Sequence, residues 1–269
     1  MEHRIRIALA QLASQPFATE WNLRRALQSV EQAAEQRADL ILFPEMFLTG
    51  YLLDEAVAEL AMTPEDAPLQ ALCHSARRHH MAIVMGFPLR GADGRIYNAL
   101  AFIDRDGSIA QIQEKIHLFG EADAAQFCPG RALGAFDTSL GRIGLQICYD
   151  VEFPETSRLL ALDGAQLLCA ASANMYPYEQ LHTLFVRARA TENHLPFAYV
   201  NAVGTEKHFH YCGRSMAADA EGNCLCAGGE QEELLLTEVA LQEGVRDSNL
   251  DYLQHRRRDL YRLHKQCGQ

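Results

Sequence analysis

No stretch of this sequence reaches the ~20 consecutive apolar residues that a membrane-spanning helix needs. Met1 leads directly into a charged segment, without the apolar core of a signal peptide, so the expectation is a cytoplasmic protein with no membrane partner. Positive charge is also scarce. Lys and Arg total 24 against 35 Asp and Glu, a net charge of −11, and such a field disfavours nucleic acid and anionic lipid. The run Arg256-Arg257-Arg258 lies between Asp251 and Asp259 and is too short to reverse that. Proline and glycine are scattered, and there is no low-complexity run and no repeat of solenoid length. With no linker to divide it, residues 1–269 are expected to form a single domain, with 245–269 as a C-terminal tail. Metal-type spacing is missing among the eight cysteines: Cys224 and Cys226 are two apart, and Cys73-His74 and Tyr211-Cys212 lack a nearby C-x2-C partner pair. Neither a metal nor an organic cofactor is expected, and the cysteines read as reduced thiols, not a disulfide framework.

What is present is an ordinary soluble composition, 48% hydrophobic and 22% charged over 269 residues, enough to bury about three quarters of the unfolded surface. Arg4 to Ala10 alternates as a strand. Asn22 to Arg37 carries Leu23, Ala26, Leu27, Val30, Ala33 and Ala34 on one helical stripe, and Asp39 to Phe43 is again a strand. Further helices are expected at Pro68 to His80, Pro154 to Asp163 (capped by Gly164) and Glu179 to Asn193. Strands are expected at Met81 to Phe87, Ile96 to Asp104, Ser108 to Lys115, Leu133 to Asp137, Arg142 to Ile147 and Gln166 to Ala171. Pro196 to Val203, Tyr211 to Ala218, Asn223 to Ala227 and Glu233 to Val239 complete the set. Helices and strands alternate in both halves, which supports two sheets covered outside by helices but leaves several α/β folds open.

Three strand ends carry functional groups. In Gly141-Arg142-Ile143-Gly144-Leu145-Gln146-Ile147-Cys148-Tyr149-Asp150-Val151-Glu152-Phe153-Pro154-Glu155, the alternation of Ile143, Leu145 and Ile147 stops at Cys148, and Pro154 opens a helix. Main-chain N–H groups at such a turn can bind an oxyanion, although a lone cysteine there also fits a buried structural thiol. The strand before Pro44 delivers Glu45, which is also what a helix N-terminus would use. The hairpin turned at Asp106-Gly107 ends at Lys115, where a solvated lysine would be ordinary.

Taken together, in the order Glu, Lys, Cys, these three motifs resemble the catalytic triad of the nitrilase superfamily of carbon–nitrogen hydrolases. Phe43 to Tyr51, Lys115 to Gly130, Ile147 to Glu155, Ser172-Ala173-Asn174-Met175 and Arg187 to Asn193 look most like the bacterial aliphatic amidases of the 5-aminopentanamidase type. The resemblance implies a four-layer α-β-β-α sandwich and a homodimer or larger homo-oligomer, with the tail reaching to a neighbour. An exposed amphipathic helix is an equally good reading of Asp251 to Tyr261.

The resemblance also implies roles. Cys148 would be the nucleophile, Glu45 the general base and later acid, and Lys115 the cation facing the tetrahedral oxyanion, with the Tyr149 N–H completing the hole. The substrate would be a small aliphatic primary amide; a nitrile or an N-carbamoyl amine is the alternative within the same triad, and a non-catalytic binding protein the alternative outside it. Most relatives place a second glutamate after the lysine. Residue type favours Glu121 for it, whereas counting back from Pro129-Gly130 favours Asp123. Tyr51, Asn174 and Met175 would lie near the substrate, Met175 standing where many relatives carry tryptophan, and Arg189 and Asn193 would brace the site.

Overall fold

The computed structural model describes residues 3–241 and 248–261. In chain order the elements are β1 (Arg4–Gln11), α1 (Thr19–Glu35), β2 (Leu40–Leu42), α2 (Val57–Leu60), α3 (Ala67–His79), β3 (Ala82–Arg90), β4 (Ile96–Ile103) and β5 (Ile109–Glu114). There follow α4 (Gly120–Ala124), β6 (Phe136–Thr138), β7 (Gly141–Ile147), α5 (Pro154–Leu162), β8 (Leu167–Ser172) and α6 (Glu179–Asn193). The last strands are β9 (Phe197–Asn201), β10 (Val203–Glu206), β11 (Phe209–Cys212), β12 (Met216–Ala218), β13 (Cys224–Ala227) and β14 (Glu233–Ala240).

The strands form two six-stranded sheets, ordered β14-β1-β2-β3-β4-β5 and β13-β12-β9-β8-β7-β6, with β10-β11 as a separate hairpin. Each large sheet has a parallel centre, β1-β2-β3 in one and β7-β8-β9 in the other, flanked by antiparallel strands. Parallel strands covered on both faces must be apolar on both, and their alternation decides which layer each side chain enters. Ile7, Leu9, Leu40, Leu42 and Val84 meet Leu145, Ile147, Cys169 and Ala171 between the sheets. Ala8, Ala10, Ile41, Ile83 and Met85 face outward onto Val30 and Ala33 of α1 and Leu69, Leu72 and Ala76 of α3. Leu168, Ala170 and Tyr199 do the same onto Leu160 of α5 and Val186 and Ala190 of α6. The result is the expected four-layer α-β-β-α sandwich. No helix among the described residues is long and apolar enough to cross a membrane.

Two strand expectations change. Pro196 to Val203 is not one strand: β9 stops at Asn201, whose Nδ2 donates to Asn174 O (3.1 Å) and Gly213 O (2.8 Å), and β10 starts in another sheet. Tyr211 to Ala218 likewise divides into β11 and β12 because Gly213 and Arg214 both take positive φ, +61° and +57°. A Cβ on Gly213 would stand 2.6 Å from Gly229 O, so only glycine allows the chain to pass there. Of the tail, 245–247 and 262–269 lie outside the described residues. Residues 251–261 run as turns and not as a helix. Tyr252 stacks on His194 at 5.1 Å and His194 Nε2 lies 2.6 Å from Leu250 O, which seats this stretch on the end of its own chain's α6.

Candidate active site

Three loops at one end of the sheets bring the site together. After β2 the chain continues through Phe43 and Pro44 into Glu45, and Met46 takes a left-handed φ of +55° to turn the carboxylate inward. That turn lies against β3 so closely that a Cβ at Gly86 would be 2.4 Å from Pro44 O. Lys115 follows β5 directly, its N–H donating to Asn98 O at 2.8 Å and its carbonyl accepting Gly130 N–H at 2.7 Å. Cys148 directly follows β7 and takes φ +46°, a backbone conformation that costs a non-glycine residue about 1–2 kcal/mol.

The Lys115 ammonium is fully buried and lies 2.7 Å from Glu45 Oε1 and 2.6 Å from Asp123 Oδ2. Asn98 Nδ2 donates to the same Glu45 Oε1 at 2.7 Å, and Ala173 N–H donates to Glu45 Oε2 at 2.8 Å. Oε1 therefore receives two donors and Oε2 one. Asp123 accepts the Tyr51 hydroxyl on Oδ1 (2.6 Å) and the Phe119 N–H on Oδ2 (2.8 Å), while the Tyr51 ring covers Lys115 at 5.6 Å. Burial opposes the charge on Lys115, but the carboxylates Glu45 and Asp123 outweigh it and hold the ammonium well above its usual range. Burial, reinforced by Asp123 and opposed by Lys115, raises the Glu45 carboxyl and makes it a stronger base than an exposed glutamate. Cys148 keeps partial solvent access, yet burial of its thiol and the charge of Glu45 push it far up, against Lys115, the Ser172 hydroxyl and the Ala173 N–H. At neutral pH the resting group is a thiol, so any nucleophilic use of it needs a base.

Glu45 and Lys115 are thus in contact, with Cys148 within electrostatic reach of both. Of the two candidate acids, the structure places Asp123 on Lys115 and leaves Glu121 exposed, because residues two apart on the short helix α4 stand on opposite faces. Tyr51 spends its hydroxyl on Asp123. Asn174 is likewise engaged: its Nδ2 donates to Tyr178 O (3.0 Å) and lies 2.7 Å from His182 Nδ1. Met175 is buried in the apolar wall with Met46, Leu53, Phe127 and Tyr211. Tyr149 is half-buried, its ring edge-on to Phe119 (5.4 Å) and Phe153 (4.9 Å). Arg189 holds the turn after Cys148 by donating to Val151 O (3.0 Å) and Glu152 O (2.8 Å), and Asn193 Nδ2 donates to Arg189 O (2.9 Å).

Sequence reasoning passed over Asn98, whose signal was a lone amide inside the apolar strand Ile96–Ile103. It also passed over Glu206. This buried carboxylate accepts Tyr51 N–H (3.0 Å), Leu52 N–H (2.8 Å) and the Tyr211 hydroxyl (2.8 Å), and so holds the Tyr51 loop in place. No local pattern announces it, since the hairpin β10-β11 was itself unrecognised.

Residues 6–246 match the carbon-nitrogen hydrolase family model. The chain is 38% identical over 260 residues to the Pseudomonas protegens protein named "Hydrolase in pqqF 5'region", covering 96% of this chain and 90% of that one. It is 36% identical to an (R)-stereoselective amidase of a Pseudomonas species, covering 94% and 92% of the two. Among solved structures, it superposes with a TM-score of 0.87 and 30% identity on a variant amidase of Nesterenkonia sp. AN1, covering 97% of this chain and 96% of that one. That structure shows covalent addition of the acetamide moiety of fluoroacetamide at the active site cysteine.

Proposed function

Because the chain belongs to the carbon-nitrogen hydrolase family, and within it to the nitrilase superfamily, it is an amidohydrolase, and we propose that it cleaves small aliphatic primary amides through a thioester on Cys148. The observation that carries this reading is the asymmetry of Glu45 among the described residues: Oε1 takes both Lys115 and Asn98, while Oε2 takes Ala173 N–H alone. The remaining acceptor position on Oε2 suits it to take the Cys148 proton. Ala173 N–H is also among the groups around the thiol, which supports Oε2 as the oxygen that receives its proton.

The sulfur then attacks the amide carbon, and the carbonyl electrons move to an oxyanion stabilised by the Lys115 ammonium and the Tyr149 N–H. Glu45 returns the proton to the nitrogen as the C–N bond breaks and ammonia leaves. Water, deprotonated by Glu45, attacks the thioester, and the carboxylate departs as the thiol is restored. Asp123 keeps Lys115 aimed, and Tyr51, Asn98 and Asn174 brace the frame while Met46, Met175 and Tyr211 wall the acyl group. We take residues 1–269 as one domain of a cytoplasmic enzyme that needs no cofactor. We further take it as a homodimer or larger homo-oligomer, a reading supported by the exposed Leu159 (55%) and Leu184 (63%) on α5 and α6, with 245–269 sharing in the contact.

Ammonia release from a panel of short aliphatic amides including 5-aminopentanamide, matched nitriles and N-carbamoyl amines tests the substrate. The highest kcat/KM is expected with an amide. A higher value with nitriles reassigns the enzyme as a nitrilase, and turnover of carbamoyl amines alone reassigns it as a carbamoylase. Sedimentation at micromolar concentration showing only a 30.0 kDa species would refute the oligomer.

A further inference from the structure

The strained turn at Cys148 and the strand end at Lys115 belong to different sheets, and one carboxylate joins them. Asp150 is 1% exposed. Its Oδ2 accepts the N–H of Ile147 (3.2 Å), the residue before Cys148. Its Oδ1 accepts the N–H of His117 (2.8 Å), two residues after Lys115, and lies 2.9 Å from His117 Nδ1. A longer approach to Ile116 N–H (3.4 Å) completes the span. The His117 ring lies flat on Phe153, centroids 3.8 Å apart and planes 9° apart, so the ring is stacked against the far end of the same turn. Arg189 fixes that end from the opposite side through Val151 O and Glu152 O.

We propose that Asp150 and His117 form a positioning clamp that holds the Cys148 sulfur in register with Lys115. The proposal rests on the assignment of Cys148 as nucleophile and Lys115 as oxyanion partner. Neither Asp150 nor His117 touches the reacting atoms. Their work is to keep a backbone conformation that cysteine alone disfavours, and to keep it at a fixed distance from a lysine carried by the other sheet. A nucleophile displaced by about 1 Å loses on the order of 100-fold in rate.

Asp150→Asn keeps the shape but puts an amide N–H2 against donors that need an oxygen. His117→Phe keeps an aromatic ring for the stack on Phe153 and removes both ring nitrogens, including the Nδ1 that faces Asp150. Each variant is compared with the parent for kcat and KM on the preferred amide, for thermal unfolding, and for the rate at which iodoacetamide alkylates Cys148, with the exposed Cys224 as reference thiol by mass spectrometry. The clamp predicts that Asp150→Asn lowers kcat on the order of 100-fold with KM within about threefold, and slows alkylation of Cys148 but not of Cys224. It predicts a smaller loss of the same kind, about fivefold to tenfold, for His117→Phe, beside a modest fall in unfolding temperature from the donor lost to buried Asp150. Parent values of kcat and Cys148 alkylation in His117→Phe overturn the clamp, whether or not Asp150→Asn folds, and a loss confined to unfolding temperature in either variant does the same. If the parent hydrolyses no amide, the substrate reading fails, while the alkylation rates still decide the clamp.

Discussion

On the first sheet, Glu45, Lys115 and Asp123 are sealed from solvent and hold one another, with Asn98 and Tyr51 filling further positions on the carboxylates. On the second sheet, Cys148 has no ionic partner among the described residues, keeps some solvent access and sits at φ +46°. The first half is a fixed electrostatic arrangement whose members depend on one another for solvation. The second is a single reactive atom on a turn held by its neighbours. Loss of a reacting group should therefore have different signatures on the two sides: on the first, activity and stability fall together; on the second, loss of the thiol lowers activity alone.

The largest expected effect is that of Cys148→Ala, which should lower kcat by about 10⁵-fold or more while leaving the unfolding midpoint within a few degrees. Ammonia release and thermal unfolding check it together, and a large loss of stability would break the contrast. Cys148→Ser should be nearly as inactive, because a hydroxyl is a much weaker nucleophile at neutral pH.

Next come Lys115→Ala and Glu45→Gln, each expected to cost about 10³- to 10⁴-fold in kcat, with a double variant little worse than the poorer single. Lys115→Ala also strands two buried carboxylates and should cost about 3–5 kcal/mol in urea unfolding. Losses that simply add in the double variant would show that Lys115 and Glu45 do not act as one unit.

A third test concerns His182, which braces the second half through Asn174. Burial lowers its pKa from 6.5 to about 4, while its Nε2 lies 3.1 Å from Arg214 O. That carbonyl makes Nε2 the donor and leaves Nδ1 to accept from Asn174 Nδ2. The unfolded chain binds this proton more readily, so stability is complete above pH 6.5 and is lost as pH falls from about 6.5 towards about 4, by about 3 kcal/mol in all. Denaturant unfolding across that window in the parent and in His182→Gln should give a flatter dependence in the variant.

The smallest effect should come from Tyr51→Phe, which leaves Asp123 Oδ1 without its hydroxyl donor, for about 1.5–3 kcal/mol of stability and a modest fall in kcat. Stability unchanged in this variant would show that the first half is less interdependent than its geometry indicates.

What could be read from the sequence follows the same division. Glu45, Lys115 and Cys148 stand where alternating apolar strands end, and such breaks survive without coordinates. The choice between Glu121 and Asp123 did not, because a two-residue phase inside the five-residue α4 leaves no periodic trace. Asn98 was hidden because alternation says which face a residue takes, not what meets it there. The break at Gly213-Arg214 was hidden because Tyr211 to Ala218 is apolar throughout both strands, and only a close approach to Gly229 reveals the bend. Two helix-covered sheets were legible in the alternation of strands and helices, whereas the four-layer order came from the family resemblance, because strands apolar on both faces fit several α/β folds.

The position of β14 has a consequence in time. It pairs antiparallel with β1 from Arg4↔Ala240 to Gln11↔Glu233, at the edge of the first sheet. A ribosome delivers β1 long before β14, so the nascent chain carries Glu45, Lys115 and Cys148 while the outer edge of β1 still has no strand to pair with. An unpaired edge is a template for other chains, and unfinished intermediates of this size are the ones that aggregate. Chains that terminate before Glu233 would therefore possess the complete chemistry and be lost to association, which makes the last strand of the sheet the condition for releasing a usable enzyme.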